Sequence, residues 1–166
     1  HAGTYATNTD ASSGGSNGRV DISVQGTVGQ PVLIKGADGE TSPIITTIGN
    51  TPENTINIVV ARYLTILGLN VTSEDGYDGF NLQGPAFLTI ENNSIHHVDV
   101  AVNFRSSMNN IVVRRNHIYA TGYDGGSGAF GTGEGMYVGC NDSTCSVTNS
   151  TIENNWIHDA VSGTTQ

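Results

Sequence analysis

Leu88-Thr89-Ile90-Glu91-Asn92-Asn93-Ser94-Ile95 is the stretch that decides the fold, because the chain says it four times with variations. Leu64-Thr65-Ile66, Ile111-Val112-Val113 and Ser150-Thr151-Ile152 restate its opening. Val71, Ile118 and Ile157 restate its close, and Asn116 and Asn155 repeat Asn93, with Leu69 at that place in the earliest copy. Ile66 to Ile90 is 24 residues and Ile90 to Val113 is 23. A short strand, a tight turn and a second short strand, repeated at that period, describe a solenoid with one coil per repeat.

Stacking the copies assigns faces. Ile66, Ile90, Val113 and Ile152 point inward in one strand, and Val71, Ile95, Ile118 and Ile157 in the next. Alternation then sends Thr65, Thr89, Val112 and Thr151 outward. A third strand lies upstream in each coil, with inward pairs Ile22/Val24, Ile56/Ile58, Phe80/Leu82, Val102/Phe104 and Met136/Val138. No segment keeps a helical period over three turns, so almost no helix is expected. The expectation is an all-β parallel β-helix of about five coils, three strands each, with no capping helix. An inward ladder of Asn93, Asn116 and Asn155 would mark the tight turn, where Asn tolerates a left-handed backbone and bonds the next Asn in the stack.

The repeated Leu-Thr-Ile-x-x-Asn-x-Ile phrase and the asparagine column resemble the right-handed parallel β-helix of the pectate-lyase-like superfamily, over nearly the whole chain. His1-Ala-Gly-Thr-Tyr5 and Pro31-Val-Leu-Ile-Lys-Gly36 look like the first coil of such domains. Two departures stand out: no amphipathic capping helix precedes the Gly-Thr-Tyr segment, and the sequence stops where another third strand would begin. The reading is one β-helix domain over 1–166, open to being a fragment of a longer one. A Gly-rich insertion over 121–133 stretches one repeat to 39 residues, counted from Val113 to Ile152.

Six Lys and Arg against fifteen Asp and Glu give a net charge of −9, which argues against a nucleic-acid partner. No run is apolar enough to insert in a membrane. Cys140 and Cys145 are the only cysteines and read as a local disulfide, which goes with an extracellular location. Asn70, Asn92, Asn141 and Asn149 open N-glycosylation sequons.

The resemblance implies that the third-strand sheet carries sugar chains. Its outward residues read as two columns, Ser23, Asn57, Asn81, Asn103, Tyr137 and Gln25, Val59, Gln83, Arg105, Gly139, with Tyr77, Asp78, Asp99 and Glu134 at the leading edge. Tyr77, Asn81, Gln83, Asn103, Arg105, Glu134 and Tyr137 are the candidate substrate-binding residues. Tyr137 would stack on a sugar ring and Arg105 would pair with a uronate carboxylate. An outward Asn column can equally hydrogen-bond to itself.

Uronate lyases of the superfamily use Ca²⁺ and a basic residue, so the resemblance implies Asp78 and Asp99 as metal ligands and Arg105 as catalytic base. The superfamily's longer catalytic signatures are absent, and a glycoside hydrolase fits less well than a lyase. His96, Tyr119 and His158 fall in one column with His117 and Trp156 in the next, and stacked rings explain them more simply than a metal. The expected function is binding or processing of an extracellular polysaccharide. The alternative is a structural subunit that self-associates head to tail through open β-helix ends.

Overall fold

The computed structural model describes residues 3–8, 18–48, 54–73, 77–122, 133–140 and 144–161. Among them are seventeen strands and no helix. They fall in three sheets that the chain visits in turn. Sheet A joins β1 (Thr4–Asn8), β4 (Ile44–Ile48), β7 (Asn70–Ser73), β10 (Ser94–Val98), β13 (His117–Thr121) and β17 (Trp156–His158). Sheet B joins β2 (Gly18–Ile22), β5 (Asn54–Val59), β8 (Phe80–Gln83), β11 (Val102–Phe104) and β14 (Met136–Val138). Sheet C joins β3 (Val32–Lys35), β6 (Arg62–Leu67), β9 (Ala86–Glu91), β12 (Met108–Arg114) and β15 (Val147–Thr148), and β16 (Thr151–Glu153) also pairs with β12. Each strand pairs in parallel with the strand one coil away, so the architecture is a parallel β-helix.

The register follows the repeated phrase. Ile66 pairs with Ile90, Ile90 with Val113 and Val113 with Ile152. On sheet A, Val71, Ile95, Ile118 and Ile157 align in the same way. Phe80, Leu82, Phe104, Ile66, Ile90, Val113, Val71, Ile95 and Ile118 are buried in one continuous core. Each such side chain stabilises by about 1.5–3 kcal/mol on leaving water.

The turn between sheets C and A is held by the asparagines. Asn93 Nδ2 donates to Asn116 Oδ1 at 3.1 Å, and Asn116 Nδ2 donates to Asn155 Oδ1 at 3.0 Å. Each side chain also serves backbone: Asn93 Oδ1 accepts from Leu69 N at 2.9 Å, and Asn116 Nδ2 donates to Ile90 O at 3.0 Å. One expectation needs correction. The left-handed residue of each turn is not the inward asparagine but its predecessor: Gly68, Asn92, Arg115 and Asn154, with φ of 70°, 52°, 54° and 54°. The amide bonds and the backbone bend are thus divided between adjacent residues.

A second correction concerns the first strand of sheet B. Val20 and Ile22, not Ile22 and Val24, pair with Ile56 and Ile58, so Asp21 rather than Ser23 stands beside Asn57. A shift of two residues preserves which side chains face inward, so alternation alone could not detect it. Gln25 leaves the strip, bridging to Arg62 and donating to Val60 O at 2.8 Å.

Candidate functional site

Sheet B builds the site. In β8 and β11 the alternation that buries Phe80, Leu82, Val102 and Phe104 turns Asn81 and Asn103 to the other face, in register with Asn57 below and Tyr137 above. These amides are not an open strip: Asn57, Asn81 and Asn103 are 0%, 4% and 7% exposed. Asn81 Nδ2 donates to Asn57 Oδ1 at 2.7 Å, and Asn57 Nδ2 to Asp21 Oδ1 at 3.1 Å. Gln83 Nε2 adds a bond to Asn57 Oδ1 at 3.1 Å. This lower part of the column is self-bonded, as amides stacked at strand spacing are free to be.

The upper part behaves differently. Asn103 Nδ2 donates to Asp78 Oδ2 at 2.7 Å instead of continuing to Asn81. Among the described residues, Asn81 Oδ1 and Asn103 Oδ1 are left buried with no hydrogen-bond partner. Such orphaned acceptors are costly and rare in native proteins.

Asp78 is buried, and desolvation pushes its carboxyl up to about 6. The bond from Asn103 lowers it, the nearby charge of Asp99 raises it, and Arg105 lowers it. Asp78 and Asp99 sit on adjacent coils, just before β8 and β11, where the backbone links them: Asp99 N donates to Tyr77 O at 3.0 Å. Asp99 is likewise buried, whereas Arg105, which follows β11, is exposed.

The predicted residues therefore divide. Asp78, Asn103, Asp99 and Arg105 come together, with Asn81 one rung below. Gln83 belongs to the self-bonded column. Tyr77, Glu134 and Tyr137 lie on the rim, partly or fully accessible. Among the described residues, no group of three or more His, Cys, Asp or Glu side chains is placed to hold a metal ion. The orphaned oxygens were not foreseen from sequence.

Elsewhere, Cys140 and Cys145 form a disulfide after β14, their Cα atoms 5.9 Å apart. Of the sequon asparagines, Asn92 and Asn149 are exposed at left-handed positions, and Asn70 Oδ1 is engaged by the His96 ring. Asn141 lies outside the described residues, as do 123–132 of the Gly-rich segment. Arg114 and Arg115 both donate to Glu91 at 2.8 Å, and the Arg114 bond chiefly holds the Glu91 carboxyl below its ordinary range. That accounts for both arginines without a ligand. No described helix is long and apolar enough to cross a membrane.

Residues 32–165 match the family model described as "right handed beta helix region", and the chain belongs to that family. No curated protein matches it. Among solved structures it is similar to alginate lyase from Paenibacillus sp. str. FPU-7, with a TM-score of 0.61 and 20% sequence identity. The likeness covers 90% of this chain and 48% of that one, so this chain spans about half the length of that structure. At such identity the likeness concerns the fold.

Proposed function

We propose that this β-helix binds or processes an extracellular, uronate-containing polysaccharide along sheet B, and that any cleavage proceeds by β-elimination rather than glycoside hydrolysis. The observation that carries the reading is the cluster of Asp78, Asp99, Asn103 and Arg105, built from neighbouring coils around a carboxyl raised to about 6. A carboxyl strongly perturbed by burial with specific charged neighbours is a candidate for a functional site. The fold likeness to a protein named as an alginate lyase adds support of a general kind.

The donor chemistry fits a calcium ion. Two buried carboxylates and two orphaned amide oxygens, Asn81 Oδ1 and Asn103 Oδ1, are the hard oxygens that Ca²⁺ takes. Asp78 and Asp99 would hold it, and when bound it would neutralise a uronate carboxylate and acidify the neighbouring proton. Arg105, exposed above the cluster, would pair with the uronate carboxylate or take the proton beside it. Asn103 would orient Asp78, and Tyr77 and Tyr137 would stack against sugar rings at the rim. The disulfide supports an oxidising, extracellular setting.

The test is a screen of uronate glycans by binding and by the ultraviolet absorbance of the unsaturated product of β-elimination, with and without calcium. Calcium-dependent binding lost in Arg105→Ala supports the proposal; equal binding by Arg105→Ala and the parent chain overturns it.

A second reading has its own observation. Ile152 and Ile157 are 47% and 44% exposed, although their partners one coil earlier, Val113 and Ile118, are fully buried. A further rung, from the chain's own continuation or from a second copy, would cover them. Light scattering coupled to size exclusion distinguishes head-to-tail assembly from a monomer.

A further inference from the structure

Four of the five histidines, His96, His97, His117 and His158, lie on sheet A, whereas the acidic cluster lies at the leading edge of sheet B. His117 pairs in register with Trp156, and Tyr119 with His158. The close contact runs diagonally across that register: His117 Nε2 and His158 Nε2 are 2.8 Å apart. His158 Nδ1 meets Asp159 Oδ2 at 2.8 Å. A carboxylate only accepts, so the His158 proton belongs on Nδ1 and its Nε2 presents a lone pair toward His117. The His117 ring is fixed on its faces, stacked against Trp156 at 4.5 Å and 8° and against Tyr119 at 4.5 Å and 30°.

His96 is occupied otherwise. Its Nε2 meets the acceptor Asn70 Oδ1 at 2.8 Å, and its Nδ1 meets His97 Nδ1 at 2.8 Å. Stacking explains where the rings lie, but not why two Nε2 atoms face one another with a carboxylate behind one of them.

We propose that His117 and His158 form a two-imidazole site for one divalent transition ion, Cu(II) most tightly, that clamps β13 to β17. Two imidazoles bound side by side to one ion at about 2.0 Å have nitrogens about 2.8–3.3 Å apart, close to the present separation. The rings, with centroids 5.0 Å apart, meet nearly end to end and must swing until both lone pairs converge on the ion. The ion takes the place of the proton now shared between the Nε2 atoms, and His117 moves that proton to its Nδ1. Asp159 supplies the carboxylate–histidine–metal arrangement that fixes the tautomer and orientation of the His158 ring. Water completes the coordination, and Cu(II) ahead of Ni(II) and Zn(II) follows from the general order of affinities for nitrogen sites. The clamp joins the two coils separated by the longest repeat.

The experiment uses the full chain in a His1→Gln background, which removes the fifth imidazole, freed of metal and titrated calorimetrically with CuCl₂, NiCl₂ and ZnCl₂. One equivalent of Cu(II), bound most tightly of the three and showing coupling to two nitrogens by electron paramagnetic resonance, is expected. His117→Gln and His158→Gln should each weaken binding by about tenfold or more, Asp159→Asn by about tenfold, and His96→Gln not at all. Far-UV circular dichroism confirms that each variant folds, and Asp159→Asn, which keeps both rings, serves if one does not. Copper affinity that is unchanged in His117→Gln and His158→Gln, or weakened equally by His96→Gln, overturns the proposal.

Discussion

Asn103 turns its amide nitrogen onto Asp78, 2.7 Å from Oδ2, and so breaks the amide chain that runs up sheet B through Asn57 and Asn81. That turn leaves Asn81 Oδ1 without a partner, and Asn103 Oδ1 is buried unpartnered as well. A fold that needed only a wall of stacked amides would have continued the chain.

Replacing Asp78 should therefore stabilise the protein. Folding raises this carboxyl from 3.8 to about 6, so its favourable contribution is complete below pH 3.8 and is lost as pH rises through 6. Above that, the buried charge weighs on the fold by about 3 kcal/mol. Asp78→Asn keeps an acceptor for Asn103 and should gain about 2–3 kcal/mol at pH 8, vanishing near pH 4. Urea unfolding at the two pH values checks this, and equal stability of variant and parent at pH 8 would contradict it.

The asparagine turn makes the opposite prediction. Asn116 Oδ1 accepts from Asn93 N at 3.0 Å, while its Nδ2 serves Ile90 O and Asn155 Oδ1, all near the core. Asn116→Ala strands buried backbone groups and should cost about 2–4 kcal/mol. Asn155→Ala, at a half-exposed rung, should cost clearly less. Denaturant midpoints of the two variants compare them directly.

Gly79 lies where coils approach closely. A Cβ built there would sit 2.9 Å from Ala101 O and 2.9 Å from Ile95 Cγ2. Gly79→Ala should cost about 1–3 kcal/mol by overpacking. Gly29→Ala, with nothing within 4 Å of the added carbon, should stay within about 0.5 kcal/mol of the parent. Thermal unfolding of the pair separates a crowding effect from a general intolerance of substitution.

Reduction of Cys140–Cys145 should lower stability by about 2 kcal/mol, since the closed loop is short. Melting with and without a phosphine reductant measures it. No change in midpoint would mean that the turn is already ordered by its neighbours.

The repeated phrase made the core legible, because Ile66, Ile90 and Val113 recur at a period that only stacked coils explain. What it concealed has physical causes. The two-residue slip of β2 leaves the inward face unchanged, so Val20/Ile22 and Ile22/Val24 look alike to alternation. Period-2 reasoning places Asn103 on a face but does not say which way its amide turns, so neither the bond to Asp78 nor the burial of the amides was readable. Alternation puts His117 and His158 in neighbouring columns of stacked rings, but their nitrogen contact crosses the register diagonally and depends on ring rotation, which the spacing does not specify.

Asn93 and Asn116 are 23 residues apart and Asn116 and Asn155 are 39 apart, yet both pairs meet through the same bond at nearly the same distance. The spacing from coil to coil is that of parallel strand pairing, which the amide bonds match, and is independent of the length of chain spent between rungs. The longer step spends 39 residues against 23, and His117, Ile118 and Tyr119 still pair in register with Trp156, Ile157 and His158. Segments of other lengths and chemistries could be spliced there while the last coil keeps its seat, so such a rod could change what it meets without changing how it stands.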